Sequence, residues 1–137
     1  MSYFVALDVG GKRTGIAITD ELNIIASGLT TVATDELIPF LQQLQHDKAF
    51  NTIVLGKPLG LDGKATDATA IVNQVSQKIK HQFPEVLIDY VDERFTSKLA
   101  MQAMVASGMS KKKRRKKETI DEVSATLILQ TYLEQNR

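Results

Sequence analysis

Three acidic sites lie far apart in a chain of 137 residues: Asp8, Asp92-Glu93 and Asp121-Glu122. Asp8 follows an apolar run, Tyr3-Phe4-Val5-Ala6-Leu7, and precedes Val9-Gly10-Gly11-Lys12-Arg13-Thr14-Gly15. A carboxylate at the end of a buried strand is costly unless something compensates its charge. A divalent metal ion is one such compensator, and Mg²⁺ or Mn²⁺ takes hard oxygen ligands of this kind. Three separated carboxylates that a fold brings together therefore suggest a divalent-metal site. Each also has a plainer reading. Asp8 can cap the Gly-Gly turn, and Glu93 can pair with Arg94. Asp121 sits in what reads as a first helical turn, where the helix dipole favours negative charge by about 0.3–1 kcal/mol. Glu122 reads as the capping-box partner of Thr119. Asp92 is either a ligand or a neighbour that supports one, and ranks below Glu93.

Positive charge is concentrated in one segment. Lys111, Lys112, Lys113, Arg114, Arg115, Lys116 and Lys117 form an unbroken basic run just before Asp121. The chain has 17 basic residues, so without these seven it keeps 10 against 16 acidic ones, although the formal net charge is +1. Such a run contacts a polyanion or stays solvated. As a grip on a nucleic-acid backbone it would read no sequence and would weaken steeply with salt. Lys12, Arg13, Lys57 and Arg94 lie near expected strand ends and are further candidates for phosphate contact, or else solvated surface charges.

The elements that must position these groups follow from local patterns. Tyr3–Val9 reads as a central strand, too apolar to leave one face in water. Residues 10–13 form a turn, and Thr14–Thr19 alternates as a second strand hairpinned to the first. Ile24–Val32 is a third strand, rich in β-branched residues. Thr34 offers an N-cap for a helix to about Lys48, on the stripe Leu37, Phe40, Leu41, Leu44. Asn51–Gly56 is a short strand, residues 57–64 a loop, and Ala65–Phe83 a helix closed by Pro84. Val86–Val91 is the last strand, with Asp92-Glu93 at its end. A helix from Thr96 or Ser97 runs to about Ser107. A final helix runs from Thr119 to about Gln135 on Ile120, Val123 and Leu127.

Three strands joined by tight turns should be antiparallel neighbours, and the last two, reached through helices, should run parallel to the first. The expected fold is α/β: one domain over residues 1–137, a five-stranded mixed sheet with helices on both faces. Ligands bind outside the carboxyl ends of parallel strands in open sheets of this kind. Asp8 and Asp92-Glu93 stand at such ends.

Composition narrows the options. Hydrophobic content of 43% and charged content of 24% suit a globular domain. The absence of cysteine excludes disulfides, thiolate metal sites and a cysteine nucleophile, and fits a cytoplasmic protein. His46 and His81 stand among polar neighbours and read as surface residues, which makes a histidine zinc site a poor fit. The N-terminus lacks a basic n-region and a cleavage site, so no signal peptide is expected. No apolar run approaches the roughly 20 residues needed to span a bilayer.

With these residues in place, the chain resembles the YqgF family of Holliday junction resolvase-like proteins, also described as pre-16S rRNA nucleases, of the ribonuclease H-like superfamily. Four motifs in order carry the resemblance across nearly the whole chain. They are Leu7-Asp8-Val9-Gly10-Gly11-Lys12-Arg13-Thr14-Gly15-Ile16-Ala17, then Val54-Leu55-Gly56-Lys57-Pro58-Leu59 with Asp62-Gly63, then Asp92-Glu93-Arg94-Phe95-Thr96-Ser97, and Ile120-Asp121-Glu122-Val123-Ser124-Ala125 leading into Leu127-Ile128-Leu129-Gln130. Phe95 and Ser124 stand where the family more often has leucine and alanine. The resemblance implies a ribonuclease H-like nuclease that cleaves phosphodiesters with Mg²⁺ or Mn²⁺, and it marks Asp8, Glu93 and Asp121 as catalytic.

Two divalent ions roughly 3.5–4 Å apart can activate the attacking water and stabilise the leaving oxygen. The implied role is trimming the 5′ end of pre-16S rRNA. The alternatives are resolution of four-way DNA junctions, or nucleic-acid binding without catalysis. The expected partner is nucleic acid, with no membrane, and the expected state a monomer or weak homodimer. Asp8-Val9-Gly10-Gly11 with Thr14-Gly15 also resembles the first phosphate motif of sugar kinases and actin-like ATPases, but those need two such domains. The glycine string lacks Walker A spacing.

Overall fold

The computed structural model describes residues 2–57, 66–92, 106, 108–110 and 117–136. Strands β1 (Tyr3–Val9), β2 (Arg13–Thr19), β3 (Ala26–Ala33), β4 (Phe50–Lys57) and β5 (Leu87–Asp92) form one sheet in the order β3-β2-β1-β4-β5. Its pairings are those expected: β1 and β3 run antiparallel to β2, while β4 pairs parallel with both β1 and β5. Among the described residues three helices flank it, α1 (Leu37–Asp47), α2 (Asp67–Gln82) and α3 (Lys117–Gln135). The helix expected between residues 96 and 107 falls largely outside the described residues.

The alternation of β1 divides the core in two. Val5, Leu7 and Val9 face α1 and α2, packing with Leu37, Leu41, Leu44, Val72, Val75 and Ile79. Ala6 faces the other way, packing with Ala17, Val54, Val91 and, from α3, Ala125, Ile128, Leu129, Tyr132 and Leu133. Small residues on the sheet let α3 lie close. Ile128 and Leu129 are almost fully buried, worth about 1.5–3 kcal/mol each. No helix among the described residues is long and apolar enough to cross a membrane.

Several local details differ from the sequence expectation. Helix α3 begins at Lys117, so Thr119 lies inside it and forms no capping box with Glu122. Its sheet-facing stripe is Ser124, Ala125, Ile128, Leu129 and Tyr132, whereas Ile120, Val123 and Leu127 are only half-buried. The helix carries apolar residues on every side, so periodicity alone selects no face.

Thr34 does not cap α1. Its hydroxyl donates to the Gly10 carbonyl at 2.6 Å, and a 3₁₀ turn, Thr34–Glu36, leads into the helix. Pro39 is the third residue of α1, where a missing N–H costs no intrahelical bond. Helix α2 has a capping box built by Thr66 and Thr69. Ile24 and Ile25 precede β3 in a turn, where their amides donate to Asp20 Oδ1 at 2.7 and 3.0 Å. His46 and His81 are exposed, as expected.

Candidate metal and nucleic-acid site

Asp8 is the penultimate residue of β1 and half-buried. Alternation from Phe4 and Ala6 puts it on the face covered by α3. Its ladder partner on β2 is Gly15. A Cβ added at Gly15 would overlap the carbonyl carbon and oxygen of Asp121 and come within 2.9 Å of the Glu122 nitrogen. The backbone of α3 therefore rests directly on β2, opposite Asp8, and only glycine leaves room for it.

Two residues before Gly15, on the same face, Arg13 reaches the side chain of Asp121. Its Nε lies 3.1 Å from Oδ2, with the two side chains 27% and 23% exposed. Because α3 starts at Lys117, Asp121 stands beyond the first turn, where the helix dipole is largely spent. The charge partner of Asp121 in this structure is Arg13. The turn that presents Arg13 is pinned in turn. The Gly10 amide donates to the Arg13 carbonyl at 2.8 Å. The Thr34 hydroxyl is spent on Gly10, which leaves Thr14, 3.0 Å away, as the donor to Thr34 Oγ1.

Two carboxylates 113 positions apart thus come to one end of one sheet face. This donor set suits a hard divalent ion, since both groups are oxygen anions and Asp121 is met, among the described residues, by a partly exposed arginine. Among the described residues, no three His, Cys, Asp or Glu side chains cluster as a metal site. The third candidate, Glu93, lies outside those residues, as do Arg94 and Lys111 to Lys116. Lys117 opens α3.

Two candidates go elsewhere. Tyr90 faces α2, where its hydroxyl sits 2.7 Å from Ser76 Oγ, and Val91 faces α3. By alternation Asp92 follows Tyr90, onto the face opposite Asp8. Lys57 pairs with Asp92 in the ladder, and its Nζ lies 5.3 Å from the centre of the Tyr90 ring. Lys12 is exposed in the β1–β2 turn.

Three residues meet partners that the sequence reading did not assign them. Gly15 permits close approach, as its place inside an alternating strand suggests, and what approaches is the backbone of α3. Glu122 extends along β3, where a Cβ on Gly28 would meet its Oε1 at 2.7 Å and its Cγ at 2.8 Å. Ser124 is buried on α3, and its hydroxyl is the one buried side-chain polar atom without a partner among the described residues.

Known proteins share this arrangement of elements. The family described as "RuvX: Holliday junction resolvase" matches residues 2–135. A relative from Flavobacterium psychrophilum, named "Putative pre-16S rRNA nuclease", is 47% identical over 133 residues, 97% of each chain. One of the same name from Bacteroides thetaiotaomicron is 45% identical over 137 residues, covering 100% of this chain and 99% of its own. Among solved structures, Thermus thermophilus RuvC in complex with a Holliday junction substrate superposes with a TM-score of 0.61 at 12% identity, over 98% of this chain and 96% of that one. The fowlpox virus Holliday junction resolvase gives 0.58 at 12% identity, over 97% and 99%. The fold is thus the ribonuclease H-like one of these resolvases. With a family match over nearly its whole length and relatives above 40% identity, the chain belongs to the RuvX (YqgF) family of Holliday junction resolvases.

Proposed function

We propose that the chain is a single-domain, metal-dependent endonuclease that hydrolyses phosphodiesters in structured nucleic acid, with the precursor of 16S ribosomal RNA as its substrate. The observation that carries this reading is the convergence of Asp8 and Asp121 at the carboxyl end of β1, enforced by the contact of α3 with Gly15. A protein that only gripped phosphates would lose affinity by bringing two carboxylates to that strand end. The names carried by full-length relatives favour the RNA substrate.

In this reading Asp8, Glu93 and Asp121 would hold Mg²⁺ or Mn²⁺, which when bound would supply water activation and charge neutralisation at the leaving oxygen. The chain's own groups do the rest. Asp8 is fixed by the ladder of the sheet centre, so it sets the position of the site. Asp121 comes from a helix packed onto the same strands. Lys12 and Arg13, at the β1–β2 turn, stand where a phosphate would meet positive charge beside the carboxylates. The run Lys111 to Lys117, with Arg94, grips the flanking backbone without reading sequence. Hydrolysis places the water oxygen on phosphorus and breaks the bond to the leaving sugar oxygen, which takes up a proton.

A second substrate, the four-way DNA junction, is favoured by the description of the family itself. Labelled precursor rRNA and a synthetic four-way junction, each incubated with and without Mn²⁺, separate the two. Asp8→Asn should abolish cleavage while leaving the melting curve of a folded protein. Full activity in that variant would reject the site.

A further inference from the structure

We infer that Arg13 is a latch on the metal site: its guanidinium occupies Asp121 while the site holds no ion, and ion binding releases it toward the phosphate backbone of the nucleic acid. This rests on the metal-dependent reading above and adds an ordered exchange of partners to it.

Arg13 meets Asp121 through Nε alone, at 3.1 Å. Firm Arg–carboxylate clamps are frequently bidentate, with two parallel N–H bonds. Here the contact uses one of five donors, and among the described residues the Nη groups bond nothing. They are therefore available for a second anion.

Both side chains are about a quarter exposed. A pair of this kind contributes little and is screened by salt, so a divalent cation displaces it readily.

Arg13 is the first residue of β2, and Gly15 and Ala17 follow on the same face. Gly15 holds the backbone of Asp121 by close contact. The carboxylate therefore stays at the site when the arginine departs. Positioning of Asp121 belongs to Gly15, and neutralisation of Asp121 belongs to Arg13.

The test has two arms, both read without turnover. In the first, Mn²⁺ is titrated calorimetrically into wild type, Arg13→Gln and Arg13→Lys. The latch predicts that Arg13→Gln binds Mn²⁺ about three- to tenfold more tightly, and that Arg13→Lys stays within about twofold of wild type. Equal or weaker binding by Arg13→Gln, with wild type binding normally, overturns the latch and leaves the metal-dependent reading standing. No Mn²⁺ binding by any of the three overturns both.

The second arm measures binding of a labelled single-stranded RNA in EDTA. Asp8→Asn and Asp121→Asn each remove one negative charge, but only the latter frees Arg13. Asp121→Asn should therefore bind RNA about two- to fivefold more tightly than Asp8→Asn, and adding Arg13→Gln should erase that difference. Equal affinities for the two single variants would overturn the release of Arg13.

Discussion

Gly15→Ala separates packing from chemistry at this site. A methyl at Gly15 meets backbone atoms of Asp121 and Glu122, and no side-chain rotation relieves a backbone contact. Ordinary contact for a Cβ begins near 3.4 Å. The start of α3 must therefore retreat from β2 by about 1 Å or more, carrying Asp121 with it. Overpacking of this kind costs about 1–3 kcal/mol, or roughly 3–10 °C in melting temperature for a domain of this size. A displacement of about 1 Å in a catalytic group costs on the order of 100-fold in rate.

Gly28→Ala is the matched control. There the methyl meets Oε1, Cγ and Cδ of Glu122, a flexible side chain beside an edge strand. Rotation of Glu122 absorbs it, so the effect should stay within about 0.5 kcal/mol. The assays are thermal unfolding and Mn²⁺-dependent cleavage, run well below either transition so that both variants are folded. If Gly15→Ala cleaves at the wild-type rate, or if Gly28→Ala loses as much stability, then the contact of α3 with β2 does not position Asp121.

Three further outcomes follow from other parts of the molecule. Ser124→Ala removes a buried hydroxyl that has no partner among the described residues, so the variant should melt higher by the equivalent of about 1 kcal/mol; a loss of that size in calorimetry would show that the hydroxyl is satisfied in solution. The amides of Ile25 and Ile24 hold the Asp20 carboxyl below the usual carboxylate range. Because the folded value is depressed, its stabilisation of the β2–β3 turn is present above the unfolded value and is lost as pH falls through the folded one, so protection of those two amides from hydrogen exchange should drop there and nowhere nearer neutrality. Replacing four of the residues Lys111 to Lys117 by glutamine should lower the slope of log affinity against log salt by up to about 3 on single-stranded RNA; an unchanged slope would exclude this run as the phosphate grip.

Much of this molecule can be read locally. The apolar run before Asp8, the hairpin at Gly10–Lys12 and the two helical crossovers yield the strand pairings, because alternation and turn chemistry act over a few residues. The same locality places Asp8 at a carboxyl strand end, the position where sheets of this kind bind ligands. The four motifs in order suffice for the family.

Other features depend on which surfaces meet. Helix α3 carries apolar residues on every side, so only packing against Ala6 and Ala17 decides that Ser124, Ala125 and Ile128 face inward. Alternation separates the two faces of β5, but contact with α2 or α3 is what assigns Asp92 to the face opposite Asp8. The Thr34 hydroxyl has a helix start beside it and a carbonyl 24 residues away, and the tertiary fold selects the carbonyl. The pairing of Arg13 with Asp121 spans 108 residues. Patterns along a chain specify what each segment can bury, whereas the partner across the sheet is chosen by close packing, which joins residues with no sequence relation to one another.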